Sequence, residues 1–400
     1  MVLKETLKNV AKLQRKEFKS VELGIPRDIL KTIDLNIPHA IILSGVRRCG
    51  KSTLLKQLIN KINKYYYFNF EDQRALGFVV RDFENLDSVF NDEFGKSKTY
   101  FFDEIQNVDE WERFVRSRQD SGKKFIITGS NASLLSKELG TRLTGRHINY
   151  ELFPFSYSEM LQLESKKSSL DSFGYYMKNG GFPEFLKYKK IEMLQELFND
   201  IIVRDIITRY GLRETKIIKE MAIYLLTNVG KEFSYTNLAK YFNLGSTNTA
   251  ISYVSYFEDS YLLFTIPMFD YSFRKQLVNP KKAYSIDVGL SRANSASFSD
   301  DKGRIFENII FLELRRRYKE IFYFKGKKEC DFLVKEKGKL KEAIQVCYEL
   351  TEENKERELS GLQEAMEKLK INKGTIITLN QDDRLGDIAV KPAWKWLLMN

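Results

Sequence analysis

The chain has 400 residues, with 65 Lys and Arg against 54 Asp and Glu, a net charge of +11 and a pI near 9.2. Its length exceeds what one hydrophobic core usually serves, and 43% hydrophobic residues with 13% aromatics, 7 Pro and 22 Gly exclude a disordered, collagenous or low-complexity chain. A mean hydropathy of −0.38 without an apolar run of about 20 residues excludes a spanning helix, so no membrane partner is expected.

The charged start, MVLKETLKNVAKLQRKEFKS, has no apolar signal-peptide centre, which points to a cytoplasmic protein. Cys49, Cys330 and Cys347 form neither a disulfide framework nor a zinc pattern, and His39 and His147 leave little for histidine chemistry. After an N-terminal helical extension, residues 40–44, 65–70, 99–102 and 124–128 read as short strands rich in β-branched and aromatic residues. Helical periodicity fills 53–63 and 111–119 between them, so the first 155 residues predict a doubly wound parallel α/β sheet. Residues 156–295 turn helical. Within them, 233–264 read as helix, tight turn, second helix and strand pair, the pattern of a winged helix-turn-helix. Residues 296–400 return to a small α/β pattern: a helix at 303–318, strands at 321–324, 329–335 and 342–348, a charged helix near 353–368 and a strand at 374–379.

The run Gly45-Val46-Arg47-Arg48-Cys49-Gly50-Lys51-Ser52 fits G-x-x-x-x-G-K-[ST] at every fixed position, between an apolar strand and an amphipathic helix starting at Thr53. Such a loop wraps backbone N–H groups around a β-phosphate at a helix N-terminus, while Lys51 reaches the phosphates and Ser52 takes a Mg²⁺ position. The first domain therefore reads as a P-loop NTPase, with ATP and Mg as the expected cofactors. Asp103-Glu104 closes an apolar strand downstream, which the pattern takes as the next strand of the sheet. Asp103 is placed to support the Mg²⁺ shell, and Glu104 to act as general base toward a water. The third strand ends in Gly129-Ser130-Asn131, where Ser130 or Asn131 serves as a γ-phosphate sensor or simply as a turn. Arg142 and Arg146 follow, either one a candidate arginine finger or a surface ion-pair partner.

Together GVRRCGKSTLL, YFFDEIQNVDEWERFVR, FIITGSNASLLS, GTRLTGR, NGGFPEFL and IIVRDIITRY resemble a family of prokaryotic AAA-type ATPases. The resemblance implies a winged-helix region and a C-terminal domain of restriction-endonuclease-like fold. It also implies nucleotide binding by Lys51 and Ser52, an acidic motif at Asp103 and Glu104, a sensor at Ser130 or Asn131, and a finger at Arg142 or Arg146.

The helix at 246–258 carries no Lys or Arg and ends at Glu258 and Asp259, so it reads equally as a DNA contact or as a structural lid. In the nuclease-like layout Glu307, Asp331 and Gln345 stand where such enzymes hold a metal. Cys347 stands where they carry a lysine, so the domain reads as degenerate; Lys335 lies on the same strand as Asp331, but nothing in the spacing requires it as a substitute. Basic runs with interleaved aromatics, Arg315-Arg316-Arg317-Tyr318-Lys319 and Lys325-Gly326-Lys327-Lys328, add a hint of nucleic acid, as do Arg274-Lys275 and Lys281-Lys282. The leading expectation is a Mg-dependent ATPase that drives conformational change on DNA or a nucleoprotein partner, as a monomer or a homo-oligomer. The alternatives are a nucleotide-gated nuclease of a defence or mobile-element system, and a non-catalytic ATP-dependent switch or scaffold that binds a protein partner.

Overall fold

The computed structural model of the protein describes residues 1–20, 22–131, 145–296 and 301–399. The chain forms two compact units, residues 1–153 with 259–261, and residues 154–258 with 262–400.

The first unit is built on five strands, β1 (Ala40–Ser44), β2 (Tyr66–Asn69), β3 (Thr99–Asp103), β4 (Lys124–Gly129) and β5 (His147–Glu151), in the order β2-β3-β4-β1-β5. Every pairing is parallel, with Ile41 opposite Ile126, Ile41 opposite Ile148 and Tyr100 opposite Phe125. All five residues of β1 are buried, because helices cover both faces of a parallel sheet and leave no face for polar alternation. The helices are α1 (Lys4–Ser20), α2 (Lys51–Ile59), α3 (Asp82–Phe94) and α4 (Trp111–Asp120). Helix α1 buries Leu7, Val10, Ala11, Gln14 and Phe18 on one stripe, while Lys8 and Lys12 on the other side pair with Glu93 of α3 at 2.8 and 2.5 Å. A stack of rings fills the core on this side, with Phe83 on Phe114 at 4.5 Å and Tyr100 on Phe125 at 4.8 Å.

One expectation is corrected. The acidic strand β3 does not flank the phosphate-loop strand; β4 lies between them. Both neighbours are equally apolar, so periodicity carries no information on their order.

The second unit opens with helices Tyr157–Leu163, Leu170–Asn179, Pro183–Tyr188 and Glu192–Asp200, the last running on into a π-helical stretch, Ile201–Thr208. The Asn179-Gly180-Gly181-Phe182 turn is fixed by Asp287, whose Oδ2 accepts the Gly181 N–H at 2.6 Å and whose Oδ1 accepts the Leu290 N–H at 2.9 Å. Helices Thr215–Thr227, Tyr235–Tyr241 and Thr247–Asp259 follow, with a small antiparallel sheet of β6 (Glu232–Phe233), β7 (Leu263–Pro267) and β8 (Lys281–Ser285), ordered β6-β8-β7. After the helix Lys302–Arg317 comes a mixed sheet of β9 (Glu320–Lys325), β10 (Glu329–Glu336), β11 (Lys339–Cys347), β12 (Gly374–Thr378), β13 (Asp383–Leu385) and β14 (Ile388–Pro392). Its order is β13-β14-β12-β11-β10-β9, and the helix Glu352–Leu369 packs against it through Leu362 and Ala365. Among the described residues, no helix is long and apolar enough to cross a membrane.

Candidate functional site

The phosphate-loop sequence turns back sharply between β1 and α2. A Cβ at Gly45 would lie 2.2 Å from the Leu152 carbonyl oxygen, so only glycine lets the loop pass that close. Gly50 caps α2 at φ +100°, in the left-handed region that disfavours a side chain. The loop is braced from outside by Arg27, whose guanidinium donates to Cys49 O at 2.8 Å and Phe153 O at 2.7 Å. Gln57 in α2 ties down the preceding segment by donating to Leu23 O and Ile25 O, both at 2.7 Å. Neither residue was singled out from sequence; the only available signal was a lone arginine in the Gly24-Ile25-Pro26-Arg27 turn.

Lys51 is buried inside the loop. Its ammonium donates to Gly45 O at 3.1 Å and Val46 O at 3.2 Å and lies 3.5 Å from Glu104 Oε1. Val46 and Cys49 are buried, and burial pushes the Cys49 thiol up, which leaves it inert. Arg47 pairs with Glu71 at 3.1 Å, and Arg48 sits at φ +61°. Ser52 is exposed at the helix N-terminus beside the half-buried Thr53.

The end of β3 closes on this loop. Asp103 is 1% exposed and accepts a hydrogen bond from Thr128 Oγ1 of β4, with the Ser52 hydroxyl close enough to favour its charged form. Burial, and then repulsion from Glu104, push its carboxyl up to about 6. Glu104 adopts φ +52°, a backbone conformation sparsely used outside glycine, with its N–H donating to Thr128 Oγ1 at 2.9 Å. Burial pushes Glu104 up as well, but Lys51, then Gln106 and Arg47, outweigh it and hold the carboxylate below its usual range. Gln106 was missed in the sequence; its Nε2 donates to Glu104 Oε2 at 2.5 Å and reaches Ser130 Oγ at 3.3 Å. Ser130 and Asn131 are both buried where β4 ends.

The two candidate arginines differ. Arg142 lies outside the described residues. Arg146 is exposed and ion-paired to Asp120, and its carbonyl accepts the Ala40 N–H at 3.0 Å. That position is where β1 and β5 begin, whereas the loop follows the end of β1, so Arg146 stands at the opposite edge of the sheet from its own chain's Lys51.

In the second unit, Glu307, Glu329 and Asp331 gather around the Lys282 ammonium of β8, while Gln345 meets the cluster through Asp331. The ammonium lies 3.3 Å from Glu307 Oε1, 2.6 Å from Glu329 Oε1 and 3.5 Å from Asp331 Oδ1. Asp331 Oδ2 accepts the Val346 N–H at 2.9 Å, Gln345 Oε1 accepts the Asp331 N–H at 3.3 Å, and Gln345 Nε2 donates to Glu358 at 2.7 Å. Burial, and then Glu307, push the Asp331 carboxyl up to about 7. Cys347 is buried, and burial pushes its thiol up to about 11, so it brings no charge. Lys335 turns to Glu320 at 2.8 Å rather than toward this cluster. A cleft of about 460 Å³ adjoins, lined by Lys327, Lys328, Asp331, Gln345, Arg357 and Glu358 among others.

Most of the basic runs are spent internally. Arg316 donates to Pro154 O at 3.1 Å, Arg317 pairs with Glu313 at 2.9 Å and lies over the Trp396 ring, and Arg315 lies over Phe264. Lys325 pairs with Glu232, and Phe322, Tyr323 and Phe324 are buried, so none of these rings is presented to a base. Arg274, Lys327 and Lys328 stay exposed, without an ion pair among the described residues.

An AAA domain family matches residues 38–161, and two domains of unknown function, DUF8612 and DUF4143, match 170–301 and 302–396. The uncharacterized protein MJ1544 of Methanocaldococcus jannaschii is 39% identical, the match covering 90% of this chain and 89% of that one. An uncharacterized protein of Haemophilus influenzae is 30% identical, with 79% and 84% covered. Among solved structures, the Walker-type ATPase PABY2304 of Pyrococcus abyssi is similar at a TM-score of 0.45 and 15% identity, covering 70% of this chain and 95% of that one. With two relatives matched over most of their length, the chain belongs to the family of these two uncharacterized proteins; in this chain an AAA-type P-loop ATPase domain precedes two domains of unknown function.

Proposed function

We propose that the first unit binds ATP with Mg²⁺ and hydrolyses it. The observation that carries this reading is the convergence of Lys51, Ser52, Asp103 and Glu104 at the ends of β1 and β3, on a helix N-terminus. Lys51 donates to two neutral carbonyls and lies 3.5 Å from Glu104, and charged phosphate oxygens displace the carbonyls readily. Ser52 Oγ and the Asp103 carboxylate, which lie close to each other, are hard oxygen donors suited to Mg²⁺ and would hold it together with nucleotide oxygens. When bound, the ion neutralises charge on the β- and γ-phosphate oxygens. Glu104, kept ionised by Lys51, is the base toward the attacking water, and Gln106 orients it. Ser130 or Asn131 senses the γ-phosphate, and Arg142 or Arg146 acts as a finger on a neighbouring copy's nucleotide. Phosphate release by the purified chain with Mg²⁺ tests these roles. Lys51→Ala should abolish it, and Glu104→Gln should abolish it while retaining ATP; release unchanged in both variants would sink the assignment.

We read the helices Tyr235–Tyr241 and Thr247–Asp259 with β6–β8 as a winged helix-turn-helix, and the last domain as a degenerate nuclease-like fold, on the order of their elements. The driven partner is DNA or a nucleoprotein, a reading supported by the exposed Arg274, Lys327 and Lys328. The internal commitment of Arg315, Arg316 and Arg317 favours a second reading, an ATP-dependent switch acting on a protein. ATPase stimulation by DNA that falls with salt supports the first; an unchanged rate with DNA supports the second.

A further inference from the structure

Three carboxylates on two elements, Glu307 of the helix Lys302–Arg317 and Glu329 and Asp331 of β10, point at one spot in the second unit. The Lys282 ammonium fills that spot, at 2.6–3.5 Å from an oxygen of each. The lysine side chain is 3% exposed and extends from β8, a strand of the small sheet that precedes the last domain. The remaining geometry of the acids is fixed by donors other than a metal. Tyr284 Oη donates to Glu307 Oε1 at 2.6 Å, and the Val346 N–H donates to Asp331 Oδ2 at 2.9 Å.

A divalent ion coordinated by these acids needs several oxygens at about 2.0–2.6 Å. It would stand in the same place as the ammonium and be repelled by it. The Lys282 nitrogen also lies 5.6 Å from the centre of the Tyr323 ring, and its leaving would strand three acids without a counter-charge. Among the described residues, no group of three or more His, Cys, Asp or Glu side chains is arranged to hold a metal ion.

We propose that Lys282 takes the place of a divalent cation in this cluster, so that the acids form a lysine-closed clamp between β8 and the C-terminal sheet rather than a metal centre. The clamp does not rest on the ATPase reading, which concerns other residues in the other unit. It removes metal-dependent phosphodiester cleavage at Glu307 and Asp331 from what this chain does. It also explains why Cys347 is tolerated where a nuclease carries its lysine: with no metal-bound water to activate, that position has no catalytic duty.

The test is a titration of the nucleotide-free full chain with Mn²⁺, followed by the EPR signal of the free ion, with Ser52→Ala in every arm to silence the first unit. The chain with Lys282 should show no saturable site that depends on Asp331. Lys282→Ala should gain about one saturable equivalent of bound Mn²⁺, and adding Asp331→Asn should abolish the gain. A stoichiometric site in the Lys282 protein that Asp331→Asn removes would overturn the proposal, and so would a folded Lys282→Ala variant that gains no site. If Lys282→Ala is too unstable to titrate, its melting temperature is read instead. Mn²⁺ should raise it while leaving the Lys282 protein unmoved, and the absence of such a rise counts against the clamp.

Discussion

Two buried lysines, one in each unit, show how the same side chain serves opposite ends. Lys51 is held by two carbonyl oxygens at 3.1 and 3.2 Å, with one carboxylate at 3.5 Å and an exposed serine next in the chain. Lys282 is enclosed by three carboxylates, the nearest at 2.6 Å. A cation whose hydrogen bonds go to neutral carbonyls can exchange them for the oxygens of an incoming anion. A cation already matched by acids cannot, and its removal leaves a buried Asp331 beside Glu307 and Glu329 with no counter-charge. The first arrangement reads as a site waiting for a partner, the second as a finished contact. The variants below either separate the two lysines or collapse the distinction.

The largest effect is expected at Lys282. Lys282→Ala leaves the buried Asp331 and the partly buried Glu307 without their counter-charge, and truncating one partner of such a cluster costs about 3–5 kcal/mol. Chemical denaturation of the full chain measures it. The cost should depend on pH with a definite sign. The Asp331 carboxyl is pushed up to about 7, above its unfolded value, so its protonated form steadies the fold at low pH and that help is lost as pH rises through 7. Lys282→Ala should therefore be more damaging at pH 8 than at pH 6; equal damage at both would show that Asp331 does not feel the lysine. Next in size is Lys51→Ala, expected to lower phosphate release by at least about 100-fold while the melting temperature stays near that of the parent. If Lys51→Ala instead unfolds the chain, or Lys282→Ala stops hydrolysis without destabilising the protein, the contrast between the two lysines fails.

How much of this was legible beforehand depends on distance along the chain. Gly45 to Ser52 is contiguous, and its chemistry requires those residue types in that order, so the loop reads directly. The acid pair at Asp103 is marked by the apolar run before it. Strand order was not legible, because β3 and β4 are both buried apolar runs and nothing local says which one lies beside β1. The polar strand β5 and the short pair β13 and β14 were missed for the opposite reason: they lack a strong β signal. Charge misled in a more instructive way. A run such as Arg315-Arg316-Arg317 is visible in sequence, but Glu313, Pro154 O and Trp396, which absorb it, are brought in by the fold. Lys282 looked like one more surplus cation for the same reason, since its acids lie on other elements of the sheet and helix.

The smallest expected effect concerns Gln106, and it probes how Lys51 and Glu104 divide their work. The Gln106 amide donates to Glu104 at 2.5 Å while touching Ser130 Oγ at 3.3 Å, so it links the ends of β3 and β4 through the presumed base. Replacing it by Leu keeps the bulk and removes the donor. Glu104 would then lose its hydrogen-bond donor and keep the attraction of Lys51 and Arg47, and a nucleotide that draws Lys51 away would loosen it further. A positioning role of this kind predicts a fall of about tenfold in kcat, or about 1.4 kcal/mol, with KM for ATP little changed, because the residue does not contact the phosphates. Gln106→Glu should be worse than Gln106→Leu, since it sets a second carboxylate against Glu104 and pushes that group toward its protonated, inactive form. A change confined to KM would instead place Gln106 among the residues that bind nucleotide. An equal loss in kcat for Leu and Glu would mean that the donor matters and the charge on Glu104 does not, which would undercut the claim that Lys51 and Gln106 together keep that base ionised.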